Sequence, residues 1–274
     1  MTAIAIWLND ERPAHPALWV AADSRVTAHS GVLDDGAKIF GLPVVCRAAD
    51  KEGFFSEVTY AHSFGFCCAG STLMGQNSYL ALVPLLSNLA AAPGYVPSLE
   101  SIAAYVHRYL VRTFDDFKVT AGPGAMFEAA VFGYCHRSSR ARAFHFLPNH
   151  DADTYALSCV EWQVSSGHAL YLGDEKGKME SRLAAAFEGE SVPGRPLSRI
   201  PRYVIQDSIL DDSSPTVGGD IQLGIADSLG FRAYALCKPR VEGQPEAFIS
   251  YLGRELTPEL MQVGDAFVAG PVIV

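Results

Sequence analysis

The order in which this sequence alternates between strand-like and helix-like apolar patterns constrains its fold more than any single residue does. Short apolar runs near 3–8, 17–22, 36–40 and 64–69 come first, with a polar excursion at 47–57. Runs of that length read as strands. Two helical stretches follow, 73–91 and 98–117. The second opens on Pro97-Ser98 with Glu100 in its first turn, a helix-start pattern. Its apolar Ile102, Tyr105, Val106, Tyr109 and Leu110 recur on one face. Pro84 sits inside the first stretch and is expected to kink it. After a loop at 121–124 come strands near 127–134, 141–146, 155–162 and 169–172. Helices near 175–187 and 203–211 follow, then strands at 221–226, 231–237 and 247–252 around a hairpin-like turn at 226–230. Strands, two helices, strands, two helices, strands make an α+β chain. No linker or internal repeat interrupts its 274 residues, so one domain spanning 1–274 is expected.

Charge and cysteine usage remove several classes of function. A net charge of −9 argues against a surface for nucleic acid or anionic lipid, where clustered Lys and Arg would be needed. The most apolar region, 79–96, is broken by Pro84, Ser87, Asn88 and Pro93 and makes a poor membrane span. No secretory signal pattern stands at the N-terminus. The cysteines, Cys46, Cys67, Cys68, Cys135, Cys159 and Cys237, follow no metal-binding spacing, and the histidines form no zinc-type pair. Reduced, mostly buried thiols in a cytoplasmic protein are expected, with no metal and no cofactor. Cys68 with some histidine could in principle make a cysteine protease, but no motif supports it. The run Gly173-Asp174-Glu175-Lys176-Gly177-Lys178 is one residue short of a phosphate-binding loop and lacks its Ser or Thr. No Gly-x-Ser-x-Gly elbow occurs.

Chemistry concentrates near the start of the chain. Met1 precedes the small residue Thr2, the kind of methionine that aminopeptidases remove. Removal would leave Thr2 with a hydroxyl nucleophile and an α-amine on one residue. Such an amine titrates at about 7.7–8.0, so it could serve as a base near neutral pH. Alone, Thr2 could equally open an edge strand, and Asp23, which ends the apolar run 17–22, could be a turn residue. Lys38 narrows the choice. It lies between Ala37 and Ile39-Phe40, and a buried ammonium needs a partner or loses its proton. Asp23 is the natural partner.

The segments Ala21-Ala22-Asp23-Ser24-Arg25, Gly36-Ala37-Lys38-Ile39-Phe40, Cys68-Ala69-Gly70-Ser71-Thr72 and Gly218-Gly219-Asp220-Ile221 resemble the proteasome β-subunits and the bacterial HslV peptidase. The resemblance implies a four-layer αββα sandwich of the N-terminal-nucleophile type, with helix pairs over the outer faces of two antiparallel sheets. It implies Thr2 as nucleophile, Asp23 and Lys38 in support, and the Gly70 amide as oxyanion donor. The substrate pocket would be walled by Val26, Gly36, Phe40, Cys68 and Thr72, with peptide backbone added as a strand beside Thr27 and the Gly70–Thr72 segment. Arg25 and Asp174 would lie just behind the site. An apolar wall predicts cleavage of peptides or unfolded proteins after medium or large apolar residues. A closed homo-oligomeric ring is also implied, with any ATPase unfoldase partner left open.

The chain departs from that pattern in three places. Residues 9–16 form a longer connection than the usual hairpin. Asp174 stands where a serine is expected. Ser214 and Val217 stand where many β-subunits carry an aspartate and a serine. Two alternatives therefore stay open: a non-catalytic subunit or scaffold that keeps Met1, and an amidase acting on a small molecule in a closed pocket.

Overall fold

The first strand, β1 (Ala3–Asn9), is apolar at nearly every position because both its faces are covered. Ala3, Ala5 and Trp7 enter one core and Ile4 and Ile6 another, as the two-residue period of a strand requires. β2 (Ala17–Ala22) pairs antiparallel with β1 and divides its residues in the same way. The computed structural model describes residues 2–28, 31–151, 154–189, 195–211, 213–240, 246–268 and 270–273. Met1, on whose removal the Thr2 expectation turns, lies outside the described residues.

After β2 come a small hairpin, β3 (Val26–Ala28) and β4 (Gly31–Leu33), and two long strands, β5 (Ile39–Ala48) and β6 (Glu57–Gly70). These two run well past the expected 36–40 and 64–69 and take in only the two ends of the supposed polar excursion, whose residues 49–56 stay outside both strands. Pro43 is tolerated within β5 because the strand lies toward a sheet edge, with only β7 (Leu89–Ala90) beyond it at Cys46 and Arg47. Helix α1 (Thr72–Leu86) ends sooner than expected, two residues after Pro84, and α2 (Leu99–Ala121) runs four residues beyond its expected end. The Ser98 side chain caps α2 by accepting the Ser101 amide.

Then follow β8 (Phe127–Cys135), β9 (Arg140–Asp151), β10 (Thr154–Trp162) and β11 (Ala169–Gly173). Helices α3 (Lys176–Glu188) and α4 (Ile200–Ile209) separate these from β12 (Gln222–Asp227) and β13 (Gly230–Pro239). The last part of the chain adds β14 (Ala247–Tyr251), β15 (Arg254–Glu255), the short helix α5 (Pro258–Met261), β16 (Gln262–Val263), β17 (Ala266–Phe267) and β18 (Val272–Ile273).

The result is a mixed α+β protein. Its larger sheet runs β11-β1-β2-β12-β13-β14-β15, with β18 beside β13, and its second sheet runs β10-β9-β8-β6-β5-β7. One core packs α1 and α2 against the six-stranded sheet, through Leu82, Val106, Leu110, Phe64 and Phe66 among others. Another packs α3 and α4 against the larger sheet, through Met179, Leu183, Ile205, Trp7 and Tyr171. A third joins residues of both sheets, including Ile4, Ile6, Val20, Cys67, Ala69 and Phe132. Cys67 and Cys68 therefore face different cores. Among the described residues, no helix is long and apolar enough to cross a membrane.

Candidate active site

Antiparallel pairing brings the end of β2, the start of β1 and the end of β11 to one edge of the larger sheet. The same geometry brings Lys38, at the start of β5, the end of β6 and the start of β8 to one edge of the other sheet. The candidate residues meet where these two edges face each other.

Asp23 is fully buried, and four donors satisfy its carboxylate. Oδ1 accepts from Lys38 Nζ at 2.7 Å and from the Ala3 amide at 2.9 Å. Oδ2 accepts from the amides of Arg25 and Gly218, each at 3.2 Å. Its own amide donates to the Ala3 carbonyl. A buried carboxylate held this way is fixed in orientation and tied to the residue that follows Thr2. Lys38 is 4% exposed. Burial pushes its amine below the usual lysine range, and the adjacent Asp23 works against that shift. Gln222 holds the Lys38 main chain by accepting its amide at 3.1 Å, while donating to the Gly36 carbonyl at 2.7 Å.

Thr2 is 5% exposed. Its carbonyl accepts the Asp174 amide at 2.9 Å. Gly173 is required there: its φ is +120°, and a Cβ would stand 1.9 Å from the Thr2 carbonyl oxygen. A small cleft is lined by Thr2, Val26, Lys38, Cys68, Gly70 and Thr72, joined by Ala37, Ala69, Ser71 and Gln76. Gly70 has φ +89°, and a Cβ on it would meet the Met126 carbonyl at 2.6 Å. Only glycine lets the chain turn there beside the threonine. The free interior of the cleft is about 10 Å³, close to the least that holds one water.

Burial raises the Cys68 thiol to about 12, with Lys38 pulling slightly the other way. Cys68 therefore stays protonated and serves as wall, and no histidine among the described residues lines the cleft. The cysteine-protease alternative finds no pair here. Phe40 does not line the cleft; it stacks on Tyr79 at 4.5 Å between ring centres and belongs to the core beneath α1. Gly36 is buried behind the cleft, its amide donated to Ser24 and its Cα packed against Val26. Thr27 is exposed on the β3–β4 hairpin. Arg25 points away as well, forking onto Asp34 at 2.7 and 3.3 Å and reaching the Pro215 carbonyl at 3.2 Å.

Asp174 lies beside Thr2 through the hydrogen bond of its amide to the Thr2 carbonyl. Burial raises its carboxyl, and a hydrogen bond from Thr216 Oγ1 at 3.0 Å opposes the rise. Ser214 instead donates to Glu175, and Val217 is buried in the core under α3 and α4. The acid and the hydroxyl in this region thus occur as Asp174 and Thr216. Sequence reasoning missed Gln222, Ser71, Gln76 and Thr216. The polar Gln222 within the apolar strand 221–226 was the one available signal, since a buried amide needs partners.

No family model matches the sequence, and no curated protein does. The fold has solved counterparts. A Gly-1 mutant of Anbu from Hyphomicrobium sp. strain MC1 superposes with a TM-score of 0.57 at 14% identity, over 84% of this chain and 85% of that one. Anbu from Yersinia bercovieri, described as an ancestral beta-subunit, gives 0.58 at 11% identity over 89% of each chain. The helical assembly of the Anbu complex from Pseudomonas aeruginosa gives 0.54 at 14% identity, over 85% and 86%. At such identities the likeness is one of fold. It also corrects the resemblance read from the short motifs. The solved structures named above are Anbu proteins, a family distinct from the HslV and proteasome β-subunits to which the motifs pointed. Short segments such as Ala-Ala-Asp-Ser-Arg encode a strand end and its ion pair, which does not specify a branch within a shared fold.

Proposed function

We propose that this chain is an N-terminal-nucleophile hydrolase that cleaves peptide bonds with Thr2 after Met1 is removed. The observation that carries the proposal is the buried Lys38–Asp23 pair, 2.7 Å apart, at the wall of a cleft shared by Thr2 and Gly70. In this mechanism the freed Thr2 amine takes the hydroxyl proton, directly or through the one water the cleft can hold. Lys38, kept charged by Asp23, favours the alkoxide electrostatically. Thr2 Oγ attacks the carbonyl, and the Gly70 amide stabilises the oxyanion, a donor typically worth about 10²–10³ in rate. The peptide C–N bond then breaks as the Thr2 ammonium gives its proton to the leaving amine. Water then hydrolyses the acyl-enzyme.

The three cores, with helix pairs on the far face of each sheet, support the four-layer αββα sandwich and a single domain. Strand β3 pairs only with β4 among the described residues, so its other edge can accept an extended substrate beside the Gly70–Thr72 segment. The pocket walls Val26, Cys68 and Thr72 are uncharged and keep the preference for apolar residues at the cleaved bond. The narrow interior favours small ones such as alanine over leucine or phenylalanine, which need the cleft to widen. Homo-oligomeric assembly is part of the proposal, as is a cytoplasmic location in keeping with six free cysteines.

Intact mass before and after a threonine-directed β-lactone or epoxyketone tests this reading. A chain lacking Met1 that gains one adduct on Thr2 supports it. A chain that retains Met1 and takes no adduct refutes it and leaves the scaffold alternative.

A further inference from the structure

The site is assembled across two sheets. Thr2 belongs to the edge of one and Gly70 to the edge of the other, so their separation depends on what ties the sheets at this end. The Lys38–Asp23 pair is one tie, from the start of β5 to the end of β2. A second lies on the opposite flank. Glu128, the second residue of β8, pairs across the sheet with Ala69, next to Gly70. Its Oε2 accepts from His145 Nε2 of β9 at 2.8 Å, and Lys176 Nζ approaches the same oxygen at 3.4 Å. His145 is buried and Glu128 largely so. Lys176 opens α3 directly after the turn whose Asp174 amide holds the Thr2 carbonyl.

That turn is held under backbone strain. Gly173 has φ +120°, which glycine adopts freely, but Glu175, a non-glycine residue, has φ +48°, a conformation that persists only where surrounding contacts impose it. Its other side-chain bonds come from its own side of the molecule: Tyr171 to the Asp174 carbonyl, Thr216 to the Asp174 carboxylate, and Ser214 and Lys178 to Glu175. The Lys176–Glu128 contact alone among these reaches the opposite sheet. Burial by itself would raise the Glu128 carboxyl, yet His145 and Lys176 outweigh it and keep the acid below its usual range, in its charged form.

We infer that Glu128, braced by His145 and bridged to Lys176, is a positioning cluster that sets the spacing between Thr2 and Gly70, paired with Lys38–Asp23 as the second of two clamps flanking the site. This rests on the Thr2 reading for its catalytic consequence, though the clamp itself can be tested without it. None of the three residues lines the cleft, so their effect passes through the turn at 173–175 and the strand end at 69–70.

The test compares wild type, Glu128→Gln, Lys176→Met and Lys176→Arg by peptide hydrolysis normalised to titrated Thr2, with local hydrogen exchange alongside. Both charge-removing variants are expected to lose about 10–100-fold in kcat, the scale of an ångström-sized misplacement, with KM within about twofold. Exchange should accelerate at 173–176 and 69–71 while the strand cores stay protected. Lys176→Arg should recover most of the loss. Wild-type kcat per titrated site in both charge-removing variants would overturn the inference. So would loss of protection across both sheets together with a fall in Tm, which marks a merely structural role. If wild type forms no Thr2 adduct, the Thr2 reading falls by itself. Exchange then decides the clamp: acceleration confined to the two segments supports it, and unchanged protection overturns it.

Discussion

An ammonium taken out of water costs several kcal/mol unless a fixed counter-charge meets it, and Lys38 meets one that three backbone amides hold in place. Its role is a compact charge at a set position, so Lys38→Arg should abolish peptide hydrolysis as fully as Lys38→Ala, because a planar fork cannot occupy the same place. Thr2→Ala should do the same with an unchanged unfolding transition, checked by turnover and urea melts on purified protein. Asp23→Asn is different in kind. It leaves Lys38 buried beside a neutral group and should cost about 3–5 kcal/mol of stability. The pH dependence follows from the lowered Lys38 amine. Activity that needs its charge should fade on an alkaline limb that begins below the ordinary lysine range. Stability runs the other way. Between the lowered folded value and the unfolded one the unfolded chain binds more protons, so ΔG of unfolding rises with pH in that window. Lys38→Met should lack that rise, and a wild-type slope in the variant would assign it to another group.

At the scale of elements, β1, β2 and the inner half of β6 were legible because their apolar runs are unbroken, and the runs are unbroken because both faces are covered. The outer halves of β5 and β6 were not legible. There one face meets water, and Glu57, Thr59, His62 and Ser63 interrupt the apolar pattern that marks a buried strand. Thr2, Asp23, Lys38 and Gly70 could be read together because each sits at a strand end with a short local signature. Phe40 could not be separated from them, since two residues beyond Lys38 the chain turns its side chain under α1. Gln222 bonds the Lys38 amide from 184 residues away, a distance no local pattern bridges. Cys68 and α1 also share a prediction. A Cβ on Gly75 would lie 2.3 Å from Cys68 Sγ, so Gly75→Ala must push the thiol toward the already narrow cleft. KM for small-residue substrates should rise several-fold with little change in Tm, and combining it with Cys68→Ala should restore KM. A Gly75→Ala enzyme with wild-type KM would mean that Cys68 does not wall the pocket.

Assembly belongs to the whole molecule, and α1 carries the argument. Its fifteen residues include no charged side chain, and its apolar residues spread around the helix instead of forming one stripe. Such a helix is normally buried all round, yet here Leu73 is 64% and Leu80 67% exposed. Those leucines lie seven residues apart, two turns along one face, directly beyond Thr72 at the cleft. The proposed homo-oligomer would cover that face with a copy of the same chain. The contact is head-to-tail unless α1 meets itself, and head-to-tail contacts generate either closed rings or open helices according to the rotation between neighbours. Wild-type protein is expected to elute as a particle of several hundred kilodaltons or larger in sizing coupled to light scattering. Leu73→Glu with Leu80→Glu, which buries two unpaired charges if the face is covered, should shift it toward the 29.5 kDa chain. A wild type that is monomeric at micromolar concentration would remove assembly from the proposed function. A double variant that still assembles would move the interface away from α1.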